Sequence, residues 1–449
     1  MLRQAMRARM TKRPGPDALS VLAIVCLGLT ADGCGSAGEV PTRVELPEGG
    51  YIALAHYGTN PVVDSDEQRA VYVGLSADRA SWAFVHYFLA RGRRPPPAVV
   101  RVEECITAMA PTPTAPTGHA PFALTASLAA SPFRPGWHAL VIAVATAAAR
   151  TTPPFSTAED LHVVSDRPAG PLEVALTGRG ARVVHGELAT LSQVVAMRPR
   201  LVLVSDGAGL GGPDAQGAQG GLLDQVERLR RDQSATVSVV ARLGPGTDDA
   251  LLDRVAWVGG GSYDVLVPGE ERHLAERLTR APALTNTLAE VRFDPRQVLR
   301  WRLVGHESRV ARPALRQGGG MLATGDGTYL MFEVQLSRDA SGQLGPLANV
   351  RVSASEGALE IAVGADAVPR GDVAMAHRAV VAIAAFAEEL RGSMSADDVT
   401  WDALDHEIAG LDAPALRSEL ADLVRKARGL ARETRVESGA WTDAARTTP

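Results

Sequence analysis

Apolar residues in this chain change their spacing several times, and each change marks a change in the kind of element. In "DRASWAFVHYFLARGRRPPPAVVRVEECITAM" (78–109), Trp82, Val85, Phe88 and Leu89 recur at helical spacing and predict an amphipathic helix over 79–91. "RRPPP" ends that helix, and Val99 to Met109 reads as a second one. The Pro-rich stretch 110–121 is a loop. From Phe122 the period becomes two, so "FALTASLAA" and "HALVIAVAT" predict strands on either side of the turn "SPFRPGW".

Beyond a second Pro-rich break at 150–157, apolar runs alternate with helical patterns. The predicted strands are "LHVVSD", "ARVVHG", "RLVLVSDG", "TVSVVARLG" and "SYDVLV". The helices are a weak one at 171–178, "ELATLSQVVAMRP", "LLDQVERLRRD", "DDALLDRVAWVG" and "EERHLAERLTRA". That order predicts a parallel, doubly wound sheet with crossover helices. After residue 286 alternation returns in "AEVRFDP", "VLRWRLVGHES", "GTYLMFEVQLS", "ANVRVSAS" and "ALEIAVGA", as in half-exposed antiparallel strands. Helices at 374–392 and 413–431 follow, and 432–449 reads as a polar, disordered tail.

Composition narrows the function classes. A chain of 449 residues with 46% hydrophobic and 22% charged residues is an ordinary globular protein of two or three domains. Its net charge of −5 gives no field suited to nucleic acid. Nearly all of the positive charge is arginine, so Arg91–Arg94 and Arg228–Arg231 read as solvated faces rather than phosphate sites. The N-terminus has a basic region (Arg3, Arg7, Arg9, Lys12, Arg13) and a short apolar stretch (18–31), which read as a signal peptide. Translation starting at Met10 would shorten the basic region. "ADGCGSAG" then resembles a bacterial lipoprotein cleavage box, with Cys34 as the lipidated residue and a membrane anchor. Asp32 departs from the usual box. Gly35 lacks the acidic signal of inner-membrane retention, which favours the outer membrane. With Cys26 in the apolar stretch and Cys34 acylated, Cys105 is left as a small buried hydrophobe on a helix.

Five segments in order resemble bacterial envelope proteins with a central von Willebrand factor type A (VWA) domain. They are 78–104, 118–144, "LAEVRFDPRQVLRWRLVGHESR" (288–309), "VVAIAAFAEELRGS" and the 413–431 helix. With the signal peptide placed over 1–34 and a Gly/Pro-rich tether over 35–60, the resemblance, which covers roughly 60–431, implies a helical module over 61–117 and first β-sandwich strands over 118–150. It implies a VWA-like domain over 158–285, and further sandwich strands with C-terminal helices over 286–431. The fold class expected is therefore α/β plus β, with a shortened doubly wound domain inserted into a β-sandwich with flanking helices.

In the family the sheet edge often holds Mg²⁺ or Mn²⁺ through Asp-x-Ser-x-Ser, a loop Thr and a later Asp-Gly. Here "VSDGAGLGG" carries Asp206 and Gly207. "VVSDRPAGP" keeps Asp166, but Pro168 and Gly170 stand where the serines should be, and no Thr loop is recognisable. The expectation is a degenerate site without a cofactor, in which Asp206, and Asp166 ahead of Pro168, accept backbone N–H groups of the following turns. Weak binding of Mg²⁺ by Asp166 and Asp206 is the alternative. Gly207, Gly209 and Gly212 formally match the dinucleotide fingerprint, making a small-molecule or nucleotide module with a 207–221 loop another alternative. Pro213 delays the helix to about Leu222, however, and "VVARLG" has no acidic residue for a ribose. No hydrolase or zinc-protease motif occurs. His185 reads as a strand-end surface residue and Trp301 as strand packing. A non-enzymatic, lipid-anchored envelope protein that binds another protein, without nucleic acid, is the functional expectation.

Overall fold

The structure is a computed structural model and describes residues 42–46, 49–118, 120–147, 161–186, 199–208, 215–311, 319–337, 345–393 and 399–444. Cys34, residues 209–212 of the Gly-rich stretch and the predicted helix at 187–198 lie outside these residues.

Five strands form the parallel sheet: β7 (Leu161–Ser165), β8 (Arg182–His185), β9 (Arg200–Ser205), β10 (Thr236–Arg242) and β11 (Gly260–Leu266). Their order across the sheet is β11-β10-β9-β7-β8, and every neighbouring pair is parallel. Both faces are covered, as the continuous apolar runs require. Leu201, Leu203, Val237 and Val239 share a cluster with Leu222, Val226 and Leu229 of helix α4 (Ala215–Gln233) and Leu251, Leu252 and Val255 of α5 (Asp249–Gly259). Val202, Val204 and Val240 point the other way, to Leu172 and Leu176 of α3 (Pro171–Thr177) and Leu274 and Leu278 of α6 (Glu271–Thr279). Strand alternation thus assigns each residue to one helical layer.

Two antiparallel sheets combine strands from before and after this unit. One has the order β3-β14-β17-β6-β5, from β3 (Val63–Asp64), β14 (Val298–Val304), β17 (Gly327–Leu336), β6 (His138–Thr146) and β5 (Phe122–Ala130). The other has the order β15-β4-β13-β18-β19, from β15 (Val310–Ala311), β4 (Ala70–Gly74), β13 (Leu288–Phe293), β18 (Ala348–Ala354) and β19 (Gly357–Val363). β6 pairs with β17 continuously from Gly327↔Ala145 to Val334↔His138. Apolar side chains of both sheets, among them Val71, Ile142, Val291, Leu303, Phe332 and Val350, belong to one buried cluster. Trp301 is part of it, stacked on Phe293 at 5.2 Å, with its indole N–H donating to the Gln68 carbonyl at 3.0 Å. The chain is therefore mixed α/β, with one parallel sheet and several antiparallel ones.

Several expected boundaries shift. The stretch read as a tether holds a hairpin of β1 (Thr42–Glu45) and β2 (Tyr51–Leu54), and Leu46, Ile52 and Leu54 are buried. Gly49 and Gly50 take positive φ at its turn, so they are hairpin glycines rather than linker glycines. The region read as a helical module contributes β3 and β4 to the antiparallel sheets, besides α1 (Ala80–Ala90) and α2 (Val102–Met109). α4 starts at Ala215, inside the expected 207–221 loop, because burial of Leu222, Val226 and Leu229 offsets the helix cost of its glycines. β12 (Pro282–Leu284) and β16 (Leu322–Ala323) form a further short pair. At the C-terminal end come α7 (Gly371–Arg391), α8 (Trp401–Ala409) and α9 (Pro414–Ala444), the last continuing into the stretch read as a tail.

Candidate functional site

β7, first in chain order, lies between β8 and β9, so successive connections leave in opposite directions at the C-terminal ends of β7 and β9. In doubly wound sheets this switch point is where ligands sit. Asp166 follows β7 and Asp206 follows β9, while Arg242 ends the next strand, β10. Register brings these ends side by side, with Ser165 opposite Val204 and Ser205 opposite Ala241.

Arginines already engage both carboxylates. Arg242 pairs with Asp166 and also donates to Ser165 Oγ (2.5 Å) and to the Arg167 carbonyl. Arg167 reaches across to pair with Asp206. Ser205 Oγ donates to the second oxygen of Asp166 at 2.6 Å and accepts from the Gly207 N–H at 3.0 Å. Asp206 Oδ1 accepts the Ala208 N–H at 2.8 Å, the Asx-type turn expected for it. Asp166 differs from expectation: its carboxylate takes a hydroxyl and a guanidinium from neighbouring strands, because those strand ends stand within reach. Gly207 has φ +70°, and a Cβ there would stand 3.2 Å from Asp248 Cβ, so backbone conformation and close packing both call for glycine.

A divalent cation needs several hard oxygen ligands with uncompensated negative charge. Here two carboxylates face two guanidiniums, Pro168 and Gly170 offer no side-chain oxygen, and Ser165 and Ser205 are committed to Arg167 and Asp166. The residues present do not fit Mg²⁺ or Mn²⁺. Among the described residues the acidic trio close enough to share an ion lies elsewhere, at Asp78, Glu104 and Asp253.

That trio belongs to a buried ionic network that sequence reasoning missed. Asp249 and Asp253 stand one turn apart on α5, Arg101 and Glu104 at the start of α2, Asp78 before α1 and Arg309 beside β15. All six are at most 5% exposed. Arg101 bonds Asp249 (2.5 Å) and Glu104 (3.3 Å), and Arg309 bonds Asp253 (2.5 Å) and Asp78 (3.3 Å). Tyr263 donates its hydroxyl to Asp249 and its backbone N–H to Asp78, both at 2.7 Å. Ser81 donates its N–H to Glu104 at 2.7 Å. Four carboxylates thus face two guanidiniums. Burial pushes Glu104 up to about 8 and raises Asp78 and Asp249, with the arginines opposing. For Asp253 burial acts upward too, but Arg309 and Arg101 outweigh it and hold it below the usual range. The legible signal was the Asp pair at i,i+4 within the apolar pattern of "DDALLDRVAWVG".

Other candidates are structural. Cys105 is buried on α2, and burial pushes its thiol up, away from nucleophilic use. His185 ends β8 with its side chain half exposed, 3.5 Å from Glu173. The arginine stretches are not simply solvated: Arg230 donates to the Val258 carbonyl (2.8 Å) at the end of α5, and Arg94 to the Leu390 carbonyl (3.1 Å) at the end of α7. Both cap helix C-termini, where orphan carbonyls and the helix dipole favour a cation.

Comparison with known proteins gives partial matches. The family described as von Willebrand factor (vWF_A) matches residues 52–141. This supports a VWA-type domain. The matched stretch runs from β2 to β6 and includes α1 and α2, whereas the parallel sheet lies at 161–266. No curated protein matches. A solved structure of the human COPII-coat protein Sec24c is similar at 14% sequence identity with a TM-score of 0.25, over 53% of this chain and 34% of that one. This chain thus spans about a third of that protein's length.

Proposed function

We propose that the chain is a non-enzymatic, lipid-anchored envelope protein that binds another protein, or scaffolds it, through a VWA-type α/β unit that works without a metal. In this reading the α/β unit is inserted between the strands of a two-sheet β-sandwich, and Cys34 tethers the whole to the outer membrane. The observation that carries the metal-free part is the pairing of both strand-end carboxylates with Arg242 and Arg167. A guanidinium pairs with each carboxylate that an ion would otherwise use, Arg242 held at the end of β10 and Arg167 reaching over from the exposed side. Recognition then falls to loops and sheet faces rather than to an ion bridging to a partner's carboxylate.

The test is crosslinking and affinity capture from membranes with the wild type and with Cys34→Ser. Capture of a defined partner set that EDTA leaves unchanged is expected, with Cys34→Ser released from the membrane fraction. Capture that collapses in EDTA and returns with Mg²⁺ would overturn the metal-free reading. Wild-type and Cys34→Ser chains that fractionate alike would overturn the anchor.

A further inference from the structure

One face of the β1–β2 hairpin is turned to solvent. Register puts Arg43 opposite Ala53 and Glu45 opposite Tyr51, so these residues share that face. Ile52 and Leu54 are buried on the other, and Val44 packs against the same cluster. Arg43 holds its guanidinium 4.5 Å from the Tyr51 ring centre, yet Tyr51 remains 44% exposed. The hairpin is held in place. Gly246 donates its N–H to the Tyr51 carbonyl and Ala53 donates its own to the Thr247 carbonyl, both at 2.8 Å. The face is therefore rigid before anything meets it, which lowers the cost of binding.

Exposed large apolar residues are unevenly spread. Tyr51, Tyr57 and Val62, three of the ten among the described residues, fall within a single short stretch that begins at the hairpin turn. A tyrosine joins an apolar ring to a polar hydroxyl, which suits a boundary between hydrocarbon and water. Chain length says what lies opposite. With the lipid on Cys34, Thr42 opens β1 only eight residues later. Eight residues reach at most about 29 Å when extended, and about 16 Å as a flexible coil. A tether this short holds the hairpin at an effective concentration of about a millimolar at the bilayer surface, so even a weak contact is populated.

We propose that the outer face of the β1–β2 hairpin docks on the zwitterionic phospholipid headgroups of the bilayer that holds Cys34, an inference that rests on the anchored reading. Arg43 meets a headgroup phosphate and Glu45 a headgroup amine, while the Tyr51 ring enters the boundary with the acyl chains. One side chain of each sign matches a headgroup that also carries one charge of each sign, and gives no preference for an anionic lipid. Because β2 is bonded to the loop between β10 and α5, docking also fixes that loop relative to the bilayer.

Hydrogen exchange tests this on the processed chain, which begins at Cys34. Its Cys34 thiol is coupled to a maleimide lipid in vesicles of phosphatidylethanolamine and phosphatidylcholine, or capped with N-ethylmaleimide in solution. Cys105 is buried, so Cys34 takes the label. The coupling is chemical, so the result does not depend on acylation in cells. Residues 42–54 are expected to exchange about threefold more slowly on vesicles, with 161–185 unchanged. The double variant Arg43→Ser, Tyr51→Ser should lose that protection. Equal exchange in the two forms, equal protection in the double variant, slowing that extends equally to 161–185, or protection that needs added phosphatidylglycerol would overturn the proposal. A failed anchor shows separately, as wild-type and Cys34→Ser chains that fractionate alike.

Discussion

The switch point and the buried network are both built from carboxylates and arginines, yet they balance charge in opposite ways. At the switch point two carboxylates meet two guanidiniums, and one of these, Arg167, lies largely in solvent, 61% exposed. In the network four carboxylates meet two guanidiniums with almost no contact with water. The first arrangement is neutral and screened. The second must hold protons to remain buried, because two uncompensated charges in a low-dielectric interior cost far more than neutralisation does. Carboxylates and guanidiniums thus serve a surface feature at one place and the cohesion of separate segments at the other.

The comparison is broken most directly by removing one guanidinium from each region. Arg309→Met leaves Asp78 and Asp253 buried without their cation, and should cost about 3–5 kcal/mol in denaturant-induced unfolding. Arg242→Met should cost about 1–3 kcal/mol, because Asp166 keeps Ser205 and some solvent. Equal losses would mean that burial does not distinguish the two regions.

The proton content of the network gives a second test. The folded-state value of Glu104, about 8, lies above its ordinary 4.5, so the folded chain holds a proton that the unfolded chain releases between those values. Its contribution is complete below about pH 4.5 and is lost as pH rises through about 8. Asp253, held below the usual carboxylate range by Arg309 and Arg101, acts in the other direction and loses its contribution under acid. Urea midpoints of Glu104→Gln should therefore decline less than those of the wild type between pH 5 and 8. Parallel declines would remove Glu104 from the account.

Smaller effects sharpen the switch point. Gly207→Ala should cost about 1–2 kcal/mol by thermal unfolding, from the positive φ and the approach to Asp248. Arg167→Ser alone should cost under about 1 kcal/mol, as expected of an exposed pair. Combining Arg167→Ser with Arg242→Ser uncovers both aspartates and supplies hydroxyls, so Mn²⁺ should bind this double variant, read by electron paramagnetic resonance, and not the wild type. Binding of equal strength to both proteins would show that the arginines do not occupy the ion's place.

What could be read from the sequence follows the range of each interaction. β7, β9, β10 and β11 were visible as apolar runs, and α5 and α6 as helical periods, because those patterns are local. Asp166 and Asp206 were found because each ends such a run. Arg242 was seen only as a missing acidic residue, since its partners depend on which strand becomes the neighbour of which. The network was further out of reach, with its six charged residues drawn from Asp78, Arg101–Glu104, Asp249–Asp253 and Arg309. β1 and β2 were hidden because Gly49 and Gly50 make a hairpin turn look like a linker.

The pairing of β6 with β17 also sets an order of events during folding. Gly327–Val334 reach His138–Ala145 only after the whole α/β unit between them has been made. Until then β6 has one neighbour, β5, and an open edge able to recruit any other strand. Closing so long a loop is slow relative to local helix formation. The α/β unit can assemble while that edge waits, so the interval before β17 arrives is when this chain is most exposed to misassembly.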